Sequence, residues 1–140
     1  ILPEHIETAL KVAEKVPELN MVFDHLNRPP LDEGKISGRW SERMQEAARH
    51  PNFYAKISGR GTIAVKGNDC SAEDILPAVE FALQHFGEDR CFLGGDWPVS
   101  LLAGSYAHTW TIYHHVISDL LNEAAQEKVF YRNAIQFYHL

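Results

Sequence analysis

Long apolar runs are missing from this chain. No stretch approaches the roughly 18 consecutive apolar residues of a membrane helix, so no membrane partner is expected. Basic clusters are missing too. Thirteen Lys and Arg stand singly against nineteen Asp and Glu, for a formal net charge of −6. A nucleic-acid partner calls for a basic face, and none is expected here. Cysteine is scarce: Cys70 and Cys91 have no Cys-x-x-Cys spacing, and no Asn-x-Ser/Thr sequon occurs. That excludes a disulfide-stapled scaffold and favours a reduced, cytoplasmic setting, with a single disulfide still open. There is no phosphate-binding loop, no G-x-G-x-x-G and no G-x-S-x-G elbow, which removes the nucleotide-binding and serine-hydrolase readings those motifs carry. An initiator Met is also absent. The chain opens Ile1-Leu2-Pro3 and runs straight into a helical pattern, as a piece of a longer protein would.

What is present is ordinary globular material. Of 140 residues, 45% are apolar and 23% charged, which suits a chain with a real core. Ile6, Ala9, Leu10, Ala13 and Val16 fall on one helical face, and Pro17 ends it. Asn20 to His25 reads as a buried strand with a polar tip. Residues 27–35, with two prolines and a glycine, read as a loop. The plan then repeats. Trp40, Met44, Ala47 and Ala48 make a stripe, His50-Pro51-Asn52 a turn, and Phe53 to Ser58 a strand. Residues 60–70 read as a glycine-containing loop. Ser71 is placed to cap a third helix, with Asp74 three residues on and Pro77 taken as a first-turn proline. Ile75, Leu76, Val79, Ala82, Leu83 and Phe86 form its buried stripe, Gly87 closes it, and Cys91 to Gly94 is a strand. Tyr106, Trp110, Tyr113, Ile117 and Leu120 mark a long helix. Asn122 is placed to cap another over Glu123 to Tyr131, and Asn133 a short last one.

The order is therefore α-β-α-β-α-β-α-α-α. Strands alternating with helices signify βαβ units and a parallel sheet. Either an open doubly wound sheet or a (β/α)8 barrel fits, and both place chemistry at the carboxyl ends of the strands. Asp24, His25, Ser58 and Asp96 all stand there.

His25 at a strand tip can be a metal ligand, a general base or a donor to an oxyanion; it can equally be a hydrogen-bonded structural residue. Asp96 follows two glycines and precedes Trp97-Pro98. A carboxylate in such a place can accept a proton from water, or it can cap the next helix. Lys56 and Ser58 share a strand face by period two. They can orient a substrate carboxylate or hydroxyl, or Lys56 can lie between layers and pair with an acid. Arg28, Trp40 and Trp97 are substrate contacts or loop packing. His108, His114 and His115 read as solvated helix-face residues, and Cys91 as a small apolar one.

Four ordered segments carry a resemblance. They are Asp24-His25, Pro51-Asn52-Phe53-Tyr54-Ala55-Lys56-Ile57-Ser58-Gly59, Asp89-Arg90-Cys91-Phe92-Leu93-Gly94-Gly95-Asp96-Trp97-Pro98 and Asn133-Ala134-Ile135-Gln136-Phe137-Tyr138. Together the chain resembles the C-terminal part of the amidohydrolase-related (type 2) family, in the branch of sugar-lactone and pyrone-dicarboxylate lactonases. The resemblance implies an α/β fold. The expected architecture is the C-terminal part of a (β/α)8 TIM barrel of about 250 residues or more. Residues 1–140 would form one partial domain with three parallel strands and flanking helices.

It further implies a hydrolase that opens a lactone of a sugar acid or related small carboxylate. Asp96 would activate water, and His25 would polarise the carbonyl. Ser58 and Trp97 would line the pocket. Where the family uses a divalent metal such as zinc, His25 and Asp96 would be ligands. Gly95 stands where the family more often has Ser. The family's first-strand His-x-His is absent, so this chain alone is expected to be inactive. Two alternatives stay open: a metal-dependent decarboxylase on the same scaffold, and a non-catalytic fragment that self-associates into a homo-oligomer through its sheet edges.

Overall fold

The computed structural model describes residues 3–30, 36–59 and 70–140. The loops expected over 27–35 and 60–70 fall largely outside them. Helix α1 spans Ile6–Lys15 and buries Ile6, Leu10 and Ala13. Val16, expected on the same face, lies past the helix end and is largely exposed. Strand β1 is Met21–Phe23, α2 is Gly38–Ala48, and β2 is Phe53–Ile57. Helix α3 covers Ala72–Phe86, and β3 is Cys91–Leu93. Helix α4 is Tyr106–Leu120, and α5 is Glu123–Glu127. A π-helical turn, Lys128–Arg132, joins α5 directly to α6, Asn133–Tyr138.

The strands pair in the order β1-β2-β3, all parallel. Phe23 lies opposite Ala55, and Ala55 opposite Cys91. Alternation then gives the sheet two faces. Phe53, Ala55, Ile57, Cys91 and Leu93 share the face with the helical core, all nearly inaccessible. Phe23 stacks on Phe53 at 4.9 Å and meets the edge of Phe86. Burying one such ring is worth about 1.5–3 kcal/mol. Val22, Tyr54, Lys56 and Phe92 occupy the opposite face. Near the strand beginnings, α6 folds onto that face: Phe137 packs against Tyr54 at 4.9 Å and Phe92 at 5.5 Å. Tyr138 meets Phe92 at 5.7 Å.

Several sequence expectations shift in detail. Pro77 sits in the second turn of α3, where it cannot donate to the Glu73 carbonyl. The buried stripe of Ile75, Ala78, Val79, Ala82 and Phe86 holds the helix across that gap. The capping expectation holds: Asp74 accepts from the Ser71 backbone N–H at 2.9 Å and from its hydroxyl at 3.0 Å. Gly87, at φ 77°, ends the helix in the left-handed region, which a side chain resists. In α4 the buried face is Thr109, Ile112, Tyr113, Val116 and Ile117, and Tyr106 stays exposed.

Asn133 is no cap. It lies inside a continuous helical run and donates through Nδ2 to the carbonyls of Glu88 at 2.6 Å and Cys91 at 2.8 Å. Arg90 does similar work nearby, donating to the carbonyls of Ala48, His50 and Phe53. The strand beginnings are thus tied to the chain around them by side chains.

Candidate active site

The polar groups gather at the other end of the sheet. β1 ends at Phe23, two residues before its sequence pattern does, and Asp24–Asn27 form a tight 3-10 turn. His25, Leu26, Asn27 and Arg28 all have positive φ, between 48° and 56°. Four consecutive non-glycine residues in the left-handed region are unusual, and such strain survives only where the surroundings hold it. Two holds are visible. Trp40 Nε1 donates to the Asn27 carbonyl at 3.1 Å from a buried position. That indole is buried and spent on holding the turn. The second hold is Ser58, whose Oγ accepts the His25 backbone N–H at 3.3 Å and lies 2.8 Å from His25 Nδ1. Ser58 is completely buried.

With Nδ1 engaged, the other ring nitrogen faces Asp96. His25 Nε2 is 3.6 Å from Asp96 Oδ1. Their side chains are 27% and 16% exposed, so both reach solvent from a sheltered position. Asp96 also has positive φ, at 50°. Its carbonyl accepts from the Ser100 N–H at 2.7 Å. Its carboxylate makes no hydrogen bond among the described residues.

Below this pair lies a second one. Lys56 Nζ contacts Asp24 Oδ1 at 2.8 Å. Burial pushes the Lys56 ammonium down, but the hydrogen bond and charge of Asp24, helped by Tyr138, outweigh it, and the group titrates above the usual lysine value. The register explains the contact, because Phe23 opposite Ala55 brings Asp24 opposite Lys56. Sequence reading left the acidic partner of Lys56 unnamed, although writing β1 beside β2 in parallel would have found it.

The structure therefore brings His25, Asp96 and Ser58 together, with Lys56 and Asp24 beneath. Arg28 and Trp97 stand apart from that cluster. Both are exposed, Trp97 at 68%. The Arg28 backbone N–H donates to the His25 carbonyl at 2.9 Å, but neither side chain bonds to the central pair among the described residues. His108, His114 and His115 are exposed on α4, as the helix pattern suggested. An apolar cleft of about 430 Å³ runs beside β1, lined by Ala9, Val12, Met21, Phe23 and neighbours, and includes neither His25 nor Asp96.

The donor set can be tested against a metal. His25 and Asp96 offer two ligand groups, whereas a catalytic zinc site uses three protein ligands. Among the described residues no group of three or more His, Cys, Asp or Glu is placed to hold an ion. The pair thus fits part of a metal site and does not complete one.

A three-stranded parallel sheet, helices on its core-facing side and polar residues at the strand exits are the makings of a (β/α)8 barrel. The chain belongs to the amidohydrolase family, whose model matches residues 1–140. It is 35% identical over 143 residues to the L-fucono-1,5-lactonase of Burkholderia ambifaria, covering 100% of this chain and 48% of that protein. It is 25% identical over 148 residues to the L-rhamnono-gamma-lactonase of Scheffersomyces stipitis, covering 94% of this chain and 44% of that one. An amidohydrolase from Burkholderia multivorans, solved with bound zinc, superposes with a TM-score of 0.87 at 27% identity. That match covers 100% of this chain and 51% of the other. The chain spans about half the length of the curated relatives it matches. Its fold is the C-terminal part of the family's barrel.

Proposed function

We propose that the barrel to which this chain contributes opens a lactone of a sugar acid, with Asp96 activating water. The carboxylate of Asp96 carries the reading. It stands at a strand exit, sheltered, 3.6 Å from the His25 imidazole, and its carboxylate makes no hydrogen bond among the described residues. A carboxylate so placed can take a proton from water held against it.

Ser58 sets the other half of the pair. Its Oγ already accepts the His25 N–H, so its own proton is free for Nδ1. That assignment leaves the proton of a neutral imidazole on Nε2, facing the reacting space. Water then loses a proton to Asp96 as its oxygen attacks the lactone carbonyl carbon. The charge that gathers on the carbonyl oxygen is met by the Nε2–H of His25. The ring carbon–oxygen bond breaks, and the departing alkoxide takes the proton back from Asp96.

His25 and Asp96 are the groups of this chain that would hold a divalent metal, which would supply Lewis-acid polarisation of the carbonyl. The exposed Arg28 and Trp97 are offered as contacts for the substrate's hydroxyls and ring. Lys56 acts through Asp24 and keeps the base of the His25 turn in place. The choice of a sugar-acid lactone rests on the relatives named above. The chain alone supplies one face of this site and is expected to turn over no lactone. Cys91, a buried thiol, suits a reducing compartment such as the cytoplasm.

The test is Asp96→Asn in the protein with its full barrel, followed by base uptake on a panel of sugar-acid lactones. A loss of about 10²–10⁴-fold in kcat is expected. Undiminished turnover removes Asp96 from the role, and release of carbon dioxide from a carboxylate substrate would replace lactone opening with decarboxylation.

A further inference from the structure

The tandem glycine before Asp96 is gripped from two sides. A β-carbon on Gly94 would lie 2.6 Å from Lys56 Cε and 3.2 Å from Ser58 Cβ. Lys56 cannot swing clear without breaking its contact with Asp24. A β-carbon on Gly95 would lie 2.8 Å from Tyr106 Cε2 and 2.9 Å from the Tyr106 hydroxyl oxygen. At such separations the ring would have to shift, so Tyr106 lies directly against the backbone that leads into Asp96.

Tyr106, although 43% exposed, is backed on one side. It is the first residue of α4, whose start is fixed by Ser105 accepting the His108 N–H at 3.1 Å. Its ring meets Trp110 edge-on at 6.1 Å, and Trp110 meets Tyr113 at 6.2 Å. Tyr113 is fully buried. A strut of three aromatic rings thus runs from the core to Gly95. At the end of that strut Asp96 holds a left-handed φ of 50° that a residue with a side chain avoids unless constrained.

We propose that Tyr106 is a positioning residue: its ring clamps the Gly95–Asp96 backbone against the Lys56 side and so fixes where the Asp96 carboxylate stands. The missing side chain at Gly95 is the counterpart of that ring, since a β-carbon there would displace it. The hydroxyl is not needed for this role. The kinetic part of the argument rests on Asp96 serving as the base proposed above; the conformational part does not.

Three variants of the full-barrel protein test it. Tyr106→Ala should lower kcat roughly 10- to 100-fold with KM changed less than about twofold, because a misplaced base costs rate more than binding. Tyr106→Phe keeps the ring and should retain kcat. Gly95→Ala, which pushes the ring aside, should lose as much as Tyr106→Ala, and combining the two should cost no more than either alone. A thermal melt of each variant checks that it is folded.

A crystal structure of the Tyr106→Ala protein should show Asp96 released from its left-handed conformation. Asp96 unmoved in that structure overturns the clamp. So does a Tyr106→Phe loss equal to that of Tyr106→Ala, or strictly additive losses in the double variant. If the wild-type protein opens no lactone, the functional reading fails while the crystal structure still decides the clamp.

Discussion

Asn133→Ala should weaken the fold far more than its place near the end of a short helix suggests. The side chain is 5% exposed and donates to two backbone carbonyls. One of them, on Cys91, belongs to a residue with no accessible surface at the start of β3. Truncation leaves both acceptors without this donor, in a place that water reaches poorly. An abandoned buried acceptor costs about 1–3 kcal/mol; because the bond to Glu88 is only partly buried, losing both should cost about 2–4 kcal/mol. In urea, with a slope of about 2 kcal/mol per molar, the unfolding midpoint should fall by about 1–2 M. Asn133→Asp keeps the size and removes the donors. It turns a carboxylate toward two carbonyl oxygens and should cost more than Ala. Urea titrations of the three proteins, followed by circular dichroism, decide the matter. A midpoint shift corresponding to less than about 0.5 kcal/mol for Ala, or Asp no worse than Ala, would refute the account of Asn133 as a clip.

Two more predictions concern titrating groups. Burial pushes the Cys91 thiol up to about 12, against a small opposing pull from the Arg90 charge. It should therefore resist thiol reagents near about pH 8 until the protein unfolds; rapid labelling of the native protein would contradict this. Lys56 is raised in the folded state, so its contact with Asp24 stabilises fully below the unfolded lysine value and fades as pH rises through the raised one. The stability gap between wild type and Lys56→Met should be level through neutral pH and narrow in strong alkali; a gap that persists there speaks against the pairing.

The layering of this fold was legible because apolar spacing is a direct record of burial. Ile6, Leu10 and Ala13, or Phe53, Ala55 and Ile57, repeat at the period of the element they occupy. The strand exits were legible for a similar reason, since Asp24, His25, Ser58 and Asp96 interrupt apolar runs at one end. Backbone conformation was not. Nothing in Asp24-His25-Leu26-Asn27-Arg28 announces four left-handed residues, because β1 stops early to make a turn that tertiary contacts from Trp40 and Ser58 hold. Asn133 carried the composition of a cap, and Tyr106 carried the spacing of a core residue. Each is used instead by a partner distant in sequence. The π-helical turn at Lys128–Arg132 likewise follows from no local propensity.

Asn133 and Arg90 secure the sheet where its strands begin, whereas His25 and Asp96 stand where they end. The two ends answer to different demands and share few residues. Directed evolution can therefore randomise the exit loops around Arg28 and Trp97, the substrate contacts proposed above, while leaving the anchoring end untouched. A library confined to the mouth should keep most of its members folded. The clamp at Gly95 and Tyr106 is the exception, and the two positions should be varied jointly or not at all.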